Sequence, residues 1–289
     1  MNAILGIIVV LGCVVGGYLI EGGPVNQLMQ PVEVLIICGA AMGSFLISVP
    51  IGVFIDVLKN LSTIFTAKDD SKAFYVTLLS LMYELFQTAR VSGAVALDSH
   101  VNRPAESEIF KKYAQLTKNK SLLDFICDNL KIVIAGNIEL HHYELIMDTD
   151  IATRKHHHQL PFNSVNRIAD SLPGLGIVAA VLGIVITLGH INDPPEILGH
   201  HIGAALLGTF MGVLLCYGFV GPMGALLEHL ATNKMSRLKV VKSALMGYSM
   251  GLAPILAVEF ARRAVPSNAQ PSMDELEEQV KKGGSSAQA

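Results

Sequence analysis

The stretch IADSLPGLGIVAAVLGIVIT, residues 168–187, decides the fold. After Asp170 it carries no charge. Its length matches the roughly 20 apolar residues that cross a bilayer as one helix. Small residues recur along one side of that helix: Gly176, Ala180, Gly183 and Thr187. Working outward, the pattern recurs. Histidine aside, residues 2–20, 34–55, 171–192 and 197–227 are all free of charge. Four membrane spans are predicted, ending near Ile20, Gly52, Leu188 and Leu227. The first is not a signal peptide by pattern, because it lacks a basic start and a small-residue cleavage site.

The whole chain supports this class. Hydrophobic residues make up 51% of its 289 residues and charged residues 16%, where soluble proteins carry roughly 25% charged. The short connections EGGPVNQLMQPVE (21–33) and HINDPPEILGHH (190–201) contain no Lys or Arg. All 21 basic residues lie in 56–170 or after 227. Basic residues mark the cytoplasmic side, so both termini and the long middle segment are placed inside. The expected fold is an all-α integral membrane protein with a helical cytoplasmic domain between spans two and three and a cytoplasmic helical C-terminal segment. The expected divisions are 1–56 for spans one and two, 57–170 for the cytoplasmic domain, 171–228 for spans three and four, and 229–289 for C-terminal helices and a disordered tail, GGSSAQA.

Outside the spans the apolar period is helical. Phe74, Leu78, Leu81, Met82, Leu85 and Phe86 form one such stripe; Leu122, Phe125, Ile126, Leu130, Val133 and Ile134 form a second. A long helix after span four should bend or end near Pro254. Ser272 and Glu275 have capping-box spacing. Cys13, Cys38 and Cys216 fall inside spans and Cys127 in a reducing compartment, so no disulfide framework is expected.

No phosphate loop, nucleophile elbow or H-E-x-x-H occurs, so the chain does not read as an enzyme. KHHHQ (155–159) resembles a metal site, but adjacent helical residues diverge in direction, and it reads as a polar linker into span three. His190, His200 and His201 gather at the outer mouth of spans three and four and read as an interfacial cap. No metal is expected. The spans hold no ionisable group near mid-membrane, where such groups mark proton paths. Glu21, Glu33 and Asp56 sit at span ends. If the chain conducts protons, the titrating carboxylate comes from another chain.

Span four repeats the small-residue face with Ala205, Thr209, Gly212 and Cys216. Periodicity leaves two readings open: spans three and four pack on each other, or their faces admit a third helix. Pro222 lies well inside span four's pattern and should kink it, because it cannot donate to the Gly218 carbonyl. Pro173 fits a first helical turn after Asp170 or Ser171. Two prolines near the cytoplasmic ends of their spans suggest a mechanical joint.

RPAESEIFKKY (103–113), NRIADSLPGLGIVAAVLGIV (166–185), LLGTFMGVLLCYGFVGPM (206–223), APILAVEFARRAV (253–265) and PSMDELEEQV (271–280) together closely resemble the MotA/PomA family of flagellar motor stator subunits. The resemblance runs nearly end to end. It implies a ring, a pentamer in the family, around two copies of a MotB-like partner whose single span supplies a membrane aspartate. Proton flow would turn the ring against the rotor protein FliG. It implies that Pro173 and Pro222 are the joint and that Thr209 and Tyr217 line the ion pathway. Arg90 and Asp98 would contact the rotor; the family more often has Glu where Asp98 stands, which shortens the reach. Sodium-driven relatives typically carry threonine where this chain has Ala180, so protons are the expected coupling ion, with no cofactor and no nucleic acid. The bilayer and the inner membrane complete the expected setting. An ExbB/TolQ-type energiser of envelope processes is the main rival, and a sodium-driven stator the second. Three spans are typical of the former, against four here.

Overall fold

The computed structural model describes residues 2–65, 70–136 and 138–285. Helix α1 (Asn2–Ile20) is followed by a single turn, α2 (Val25–Leu28), and by α3 (Pro31–Ser48). Pro31 fits the first turn of α3, where its missing N–H has no helical partner to lose. Span two ends at Ser48, earlier than the charge pattern suggests. Val49 is extended and Pro50 starts a separate helix, α4 (Ile51–Ile64), because a residue before proline is pushed out of the helical region.

The next elements are shorter. Helix α5 (Lys72–Ser92) leads through Gly93, at φ +84°, into a 3-10 turn (Ala94–Leu97) and α6 (Asp98–Asn102). Then come α7 (Glu108–Lys112), α8 (Ala114–Thr117) and α9 (Lys120–Ala135). Helix α10 (Leu140–Gly189) runs 50 residues and includes KHHHQ, which is helical rather than a linker. Helix α11 (Pro195–Leu214) passes through a π turn (Leu215–Val220) into α12 (Gly221–Ser249). Helices α13 (Pro254–Arg262) and α14 (Met273–Ser285) complete the chain. The long helix after span four therefore ends at Ser249, with Pro254 opening the next. Residues 283–285 of the expected tail carry helical backbone; 286–289 lie outside the described residues.

Four helical stretches are long and apolar enough to cross a membrane: Ala3–Ile20, Val25–Ser48, Leu140–Gly189 and Pro195–Ser249. There is no strand among the described residues. The chain falls into two compact units, 1–67 with 158–230, and 68–157 with 231–289.

In the first unit, Ile37, Ala41 and Phe45 form a buried stripe along α3 at four-residue spacing. Ile37 and Ala41 pack with Ala169, Leu172, Ala179 and Cys216. Phe45 packs with Val57, Ile64, Val165 and Leu227. Many apolar side chains of α1 are exposed, Leu5 at 64% and Ile8 at 60%, as suits a helix surrounded by lipid or by other chains.

In the second unit, Leu78, Leu81, Met82, Leu85 and Phe86 are buried, as are Leu122, Phe125, Ile126 and Leu130. Phe74 is only partly buried, and Arg237 lies over its ring, 4.8 Å from the centroid. Arg237 also grips Asp70 with both arms, at 2.6 and 2.5 Å. The capping box forms reciprocally: Ser272 N donates to Glu275 Oε2 at 2.8 Å, and Glu275 N donates to Ser272 Oγ at 3.2 Å. Hydrogen bonds from Arg262 hold the Glu259 carboxyl below its ordinary range, against a burial that works the other way. The stability this adds is present above the ordinary carboxylate pKa and is lost as pH falls through the lowered value. Cys127 is an inert thiol, pushed up to about 11 by burial.

Candidate functional site

The small-residue faces of spans three and four meet each other at backbone distance. A methyl group built on Gly176 would lie 2.7 Å from the Gly208 carbonyl oxygen and 3.0 Å from Gly212 Cα. One on Gly212 would lie 2.6 Å from the Leu172 oxygen and 2.8 Å from Gly176 Cα. One on Gly183 would lie 2.8 Å from Ala205 Cβ. Of the two readings left open by periodicity, mutual packing takes these residues. The buried Thr187 hydroxyl donates to its own helix, to Gly183 O at 2.8 Å. Sequence reading missed Gly208, although Gly208 and Gly212 form a G-x-x-x-G pair, the usual signal for close helix approach in membranes.

The candidate pathway residues fall in different settings around this seam. Ala180 is buried against span four: a methyl built on Gly208 would come 3.0 Å from the Ala180 amide. Thr209 is half-buried on α11. Tyr217 projects from the π turn with 72% of its surface exposed. A crevice of about 300 Å³ beside it is lined by Ile7 and Val10 of α1, together with Gly218, Pro222 and Met223.

The two prolines also differ from expectation. Pro173 is not in a first turn, because α10 runs straight through it, and Pro161 is a second internal proline that sequence reading did not weigh. Pro222 follows the π turn at one residue's distance. Gly221 N donates to Cys216 O, five residues back. A widened turn makes room for a proline ring that would otherwise strike the carbonyl four residues earlier. Nothing in the residue pattern alone signals a π turn rather than a kink.

At the connection between spans three and four, His190 and His201 stack at 5.4 Å and 16°, with His200 edge-on to His201 at 6.1 Å. The cap is not made of imidazoles alone: His190 Nδ1 pairs with Asp193 Oδ2 at 3.0 Å. Glu33, at the start of α3, keeps Oε2 buried without a hydrogen-bond partner among the described residues. Its spacing to Ile37 and Ala41 continues the buried stripe, a signal the sequence did offer.

In the second unit, Arg90 lies in the last turn of α5 and Asp98 in the first turn of α6. Both are exposed. Gly93 turns the chain between them. They do not pair: Asp98 accepts from Asn102 Nδ2 at 3.0 Å, and Arg90 has no ion-pair partner among the described residues.

Comparison with known proteins bears on this arrangement. Residues 4–93 match the family model for the Motility protein A N-terminal region, and residues 101–240 match the MotA/TolQ/ExbB proton channel family. Motility protein A of Escherichia coli is 40% identical over 281 residues, covering 97% of this chain and 95% of that one. The fold resembles a chain in the structure of C. jejuni MotAB, with TM-score 0.77, 19% identity, and coverage of 94% of this chain and 98% of that one. It also resembles a chain of the flagellar MotAB stator complex from Bacillus subtilis, with TM-score 0.75, 20% identity, and coverage of 95% and 98%. The chain belongs to the MotA family of flagellar motor stator subunits, multi-pass proteins of the inner membrane.

Proposed function

We propose that this chain assembles as a pentameric ring around two copies of a MotB-like partner and couples proton flow to torque on FliG. The observation that carries the reading is a mismatch. The spans are built to pack at backbone distance, yet none holds a mid-membrane carboxylate. A proton path needs one, and a partner aspartate would supply it. Once the spans pair through Gly176, Gly208 and Gly212, span three still exposes Ile177, Val181 and Ile184, and span four exposes Leu206, Phe210 and Tyr217. These remain available to neighbouring helices. Thr209, Tyr217 and the two prolines are proposed to border the moving path.

Protons are proposed over sodium because Na⁺ needs several oxygens to replace its hydration shell, and residues 174–186 of span three carry no side-chain oxygen. Each charge crossing releases about 2.3 kcal/mol per 100 mV. Swimming speed in sodium-free medium should match that in sodium medium and collapse with a protonophore. Speed that tracks external sodium and survives loss of the proton gradient would refute the assignment.

Orientation is proposed with both termini cytoplasmic, from the one-sided basic residues. Asn26→Cys and Asn192→Cys should react with an impermeant thiol reagent in intact cells. Reaction only after permeabilisation would reverse the topology.

The proline joint is proposed from Pro222 and its π turn. Pro222→Ala restores a backbone donor, so the chain should melt higher in detergent while tethered-cell torque falls at least threefold. Unchanged torque would leave the proline a packing role only.

A further inference from the structure

Two exposed stripes run along the paired spans. Span three presents Ile177, Val181 and Ile184; span four presents Leu206, Phe210 and Tyr217. Each stripe starts one residue on from the seam, about 100° around its helix. The two helices run antiparallel, so that step turns both stripes to the same side of the pair. Span two packs with Leu172 and Ala179, on the other side of the seam. The two stripes therefore share one open face.

Followed toward the basic side of the membrane, the span-three stripe reaches Asp170, seven residues before Ile177. Asp170 is exposed and lies inside α10, so its carboxylate caps no helix. The seam fixes its height. Gly176 meets Gly212, Ala180 meets Gly208, and Gly183 meets Ala205. Continued in that register, Asp170 comes level with Tyr217 and Gly218. Its charge acts on the thiol of Cys216, their neighbour in sequence. The open face thus ends in a carboxylate on one helix and a phenol on the other.

Neither group is used by the fold. Asp170 and Tyr217 make no side-chain hydrogen bond or ion pair among the described residues. Arg167, three residues before Asp170, is also exposed and does not pair with it. Along the helix, Asp170 stands about 15 Å from Ala180. A proton leaving that depth travels through water before it meets a group that can hold it. A carboxylate can take such a proton and return it, whereas a carboxamide of the same shape cannot.

We propose that Asp170 is the proton acceptor at the cytoplasmic end of the pathway. The partner's carboxylic acid gives its proton to the water beside Tyr217, and that water gives a proton to the Asp170 carboxylate. One O–H bond breaks on the partner and one forms on Asp170. The Asp170 acid then releases its proton to the cytoplasm and is a carboxylate again. No electrons move, and no further reactant is needed. This rests on the proton and orientation readings above. It adds a second titrating group, which this chain itself supplies.

The test uses single motors in cells carrying the full chain with its MotB-like partner, read at low and at high load. Proton transfer limits rotation only when the motor turns fast. Asp170→Asn should therefore cut low-load speed at least threefold and leave torque per stator unit near stall close to normal. Asp170→Ser should do the same, and Asp170→Glu should restore at least half of the lost speed. In deuterium oxide the two neutral variants should slow by a larger factor than the unaltered chain. Less than a twofold loss of low-load speed in both neutral variants overturns the proposal. So does an equal loss at both loads with no larger isotope effect, or absence of both variants from the membrane, because either marks a structural charge. A protonophore separates the two levels. If it stops the unaltered chain while the neutral variants run as fast as that chain does untreated, Asp170 alone fails. If the unaltered chain keeps its speed, the proton reading fails with it.

Discussion

Gly212→Leu is expected to abolish swimming and to remove most of the chain from the membrane fraction. The space for a side chain at 212 is taken by backbone, the Leu172 oxygen at 2.6 Å and Gly176 Cα at 2.8 Å. A flexible neighbour could rotate away, but a backbone cannot without moving its helix. Overpacking in a closed core costs about 1–3 kcal/mol and sometimes more. The upper end applies because the first carbon already collides and leucine adds three beyond it. Gly174→Leu is the control on the same seam's partner helix, since nothing lies within 4 Å of the position. Immunoblots of membranes and swimming rings read both variants. Normal abundance and motility for Gly212→Leu would mean that spans three and four do not meet as described.

The second large effect lies in the second unit. Asp70 has 7% of its side chain exposed and Arg237 19%. Arg237→Ala removes both arms of the pair and the cation over Phe74, leaving a buried carboxylate with little compensation. Breaking one half of a buried pair destabilises by about 3–5 kcal/mol. Arg237→Lys keeps the charge but loses the planar fork, and should fall between. Replacing both partners, as in Asp70→Leu with Arg237→Met, should recover much of the loss, because the isolated charge is then gone. Thermal unfolding of the detergent-solubilised chain reads all four. Equal melting of Arg237→Ala and the unaltered chain would show the pair to be ornamental.

Much of this was legible because membrane solvent leaves few choices. A charge-free run of about 20 residues must be a helix when no water can satisfy its backbone, and the four spans follow. The buried stripes of α5 and α9 follow from period alone. The failures share a cause. Pro173 was compatible with a first turn, and only the continuity of α10 decides otherwise. The end of span two depended on Pro50, whose effect falls on the preceding residue and not on the charge pattern. The partner of each small-residue face could not be read, because periodicity gives a face and never names what it meets. Arg90 and Asp98 were visible only by resemblance, since nothing in their local sequence separates them from any exposed helix end.

The π turn at 215–220 also sets a phase. An α-helix advances about 100° per residue, and a turn closed over five residues instead of four sets back everything after it by about one residue. Gly224 stands twelve positions after Gly212, about 120° around an uninterrupted helix. The setback brings it almost into line, and Gly224 does return to the same neighbour, with Asn166 and Val165 of α10 against the place where its side chain would be. Leu227 follows it into the cluster with Val165. Chain length in this turn therefore carries directional information. Loss of one residue from 215–220 would let the helix close up and keep Gly224 on its heading, whereas closing the turn with every residue kept would swing Gly224 and Leu227 about a quarter-turn away from α10. An intact helix would then be the wrong answer.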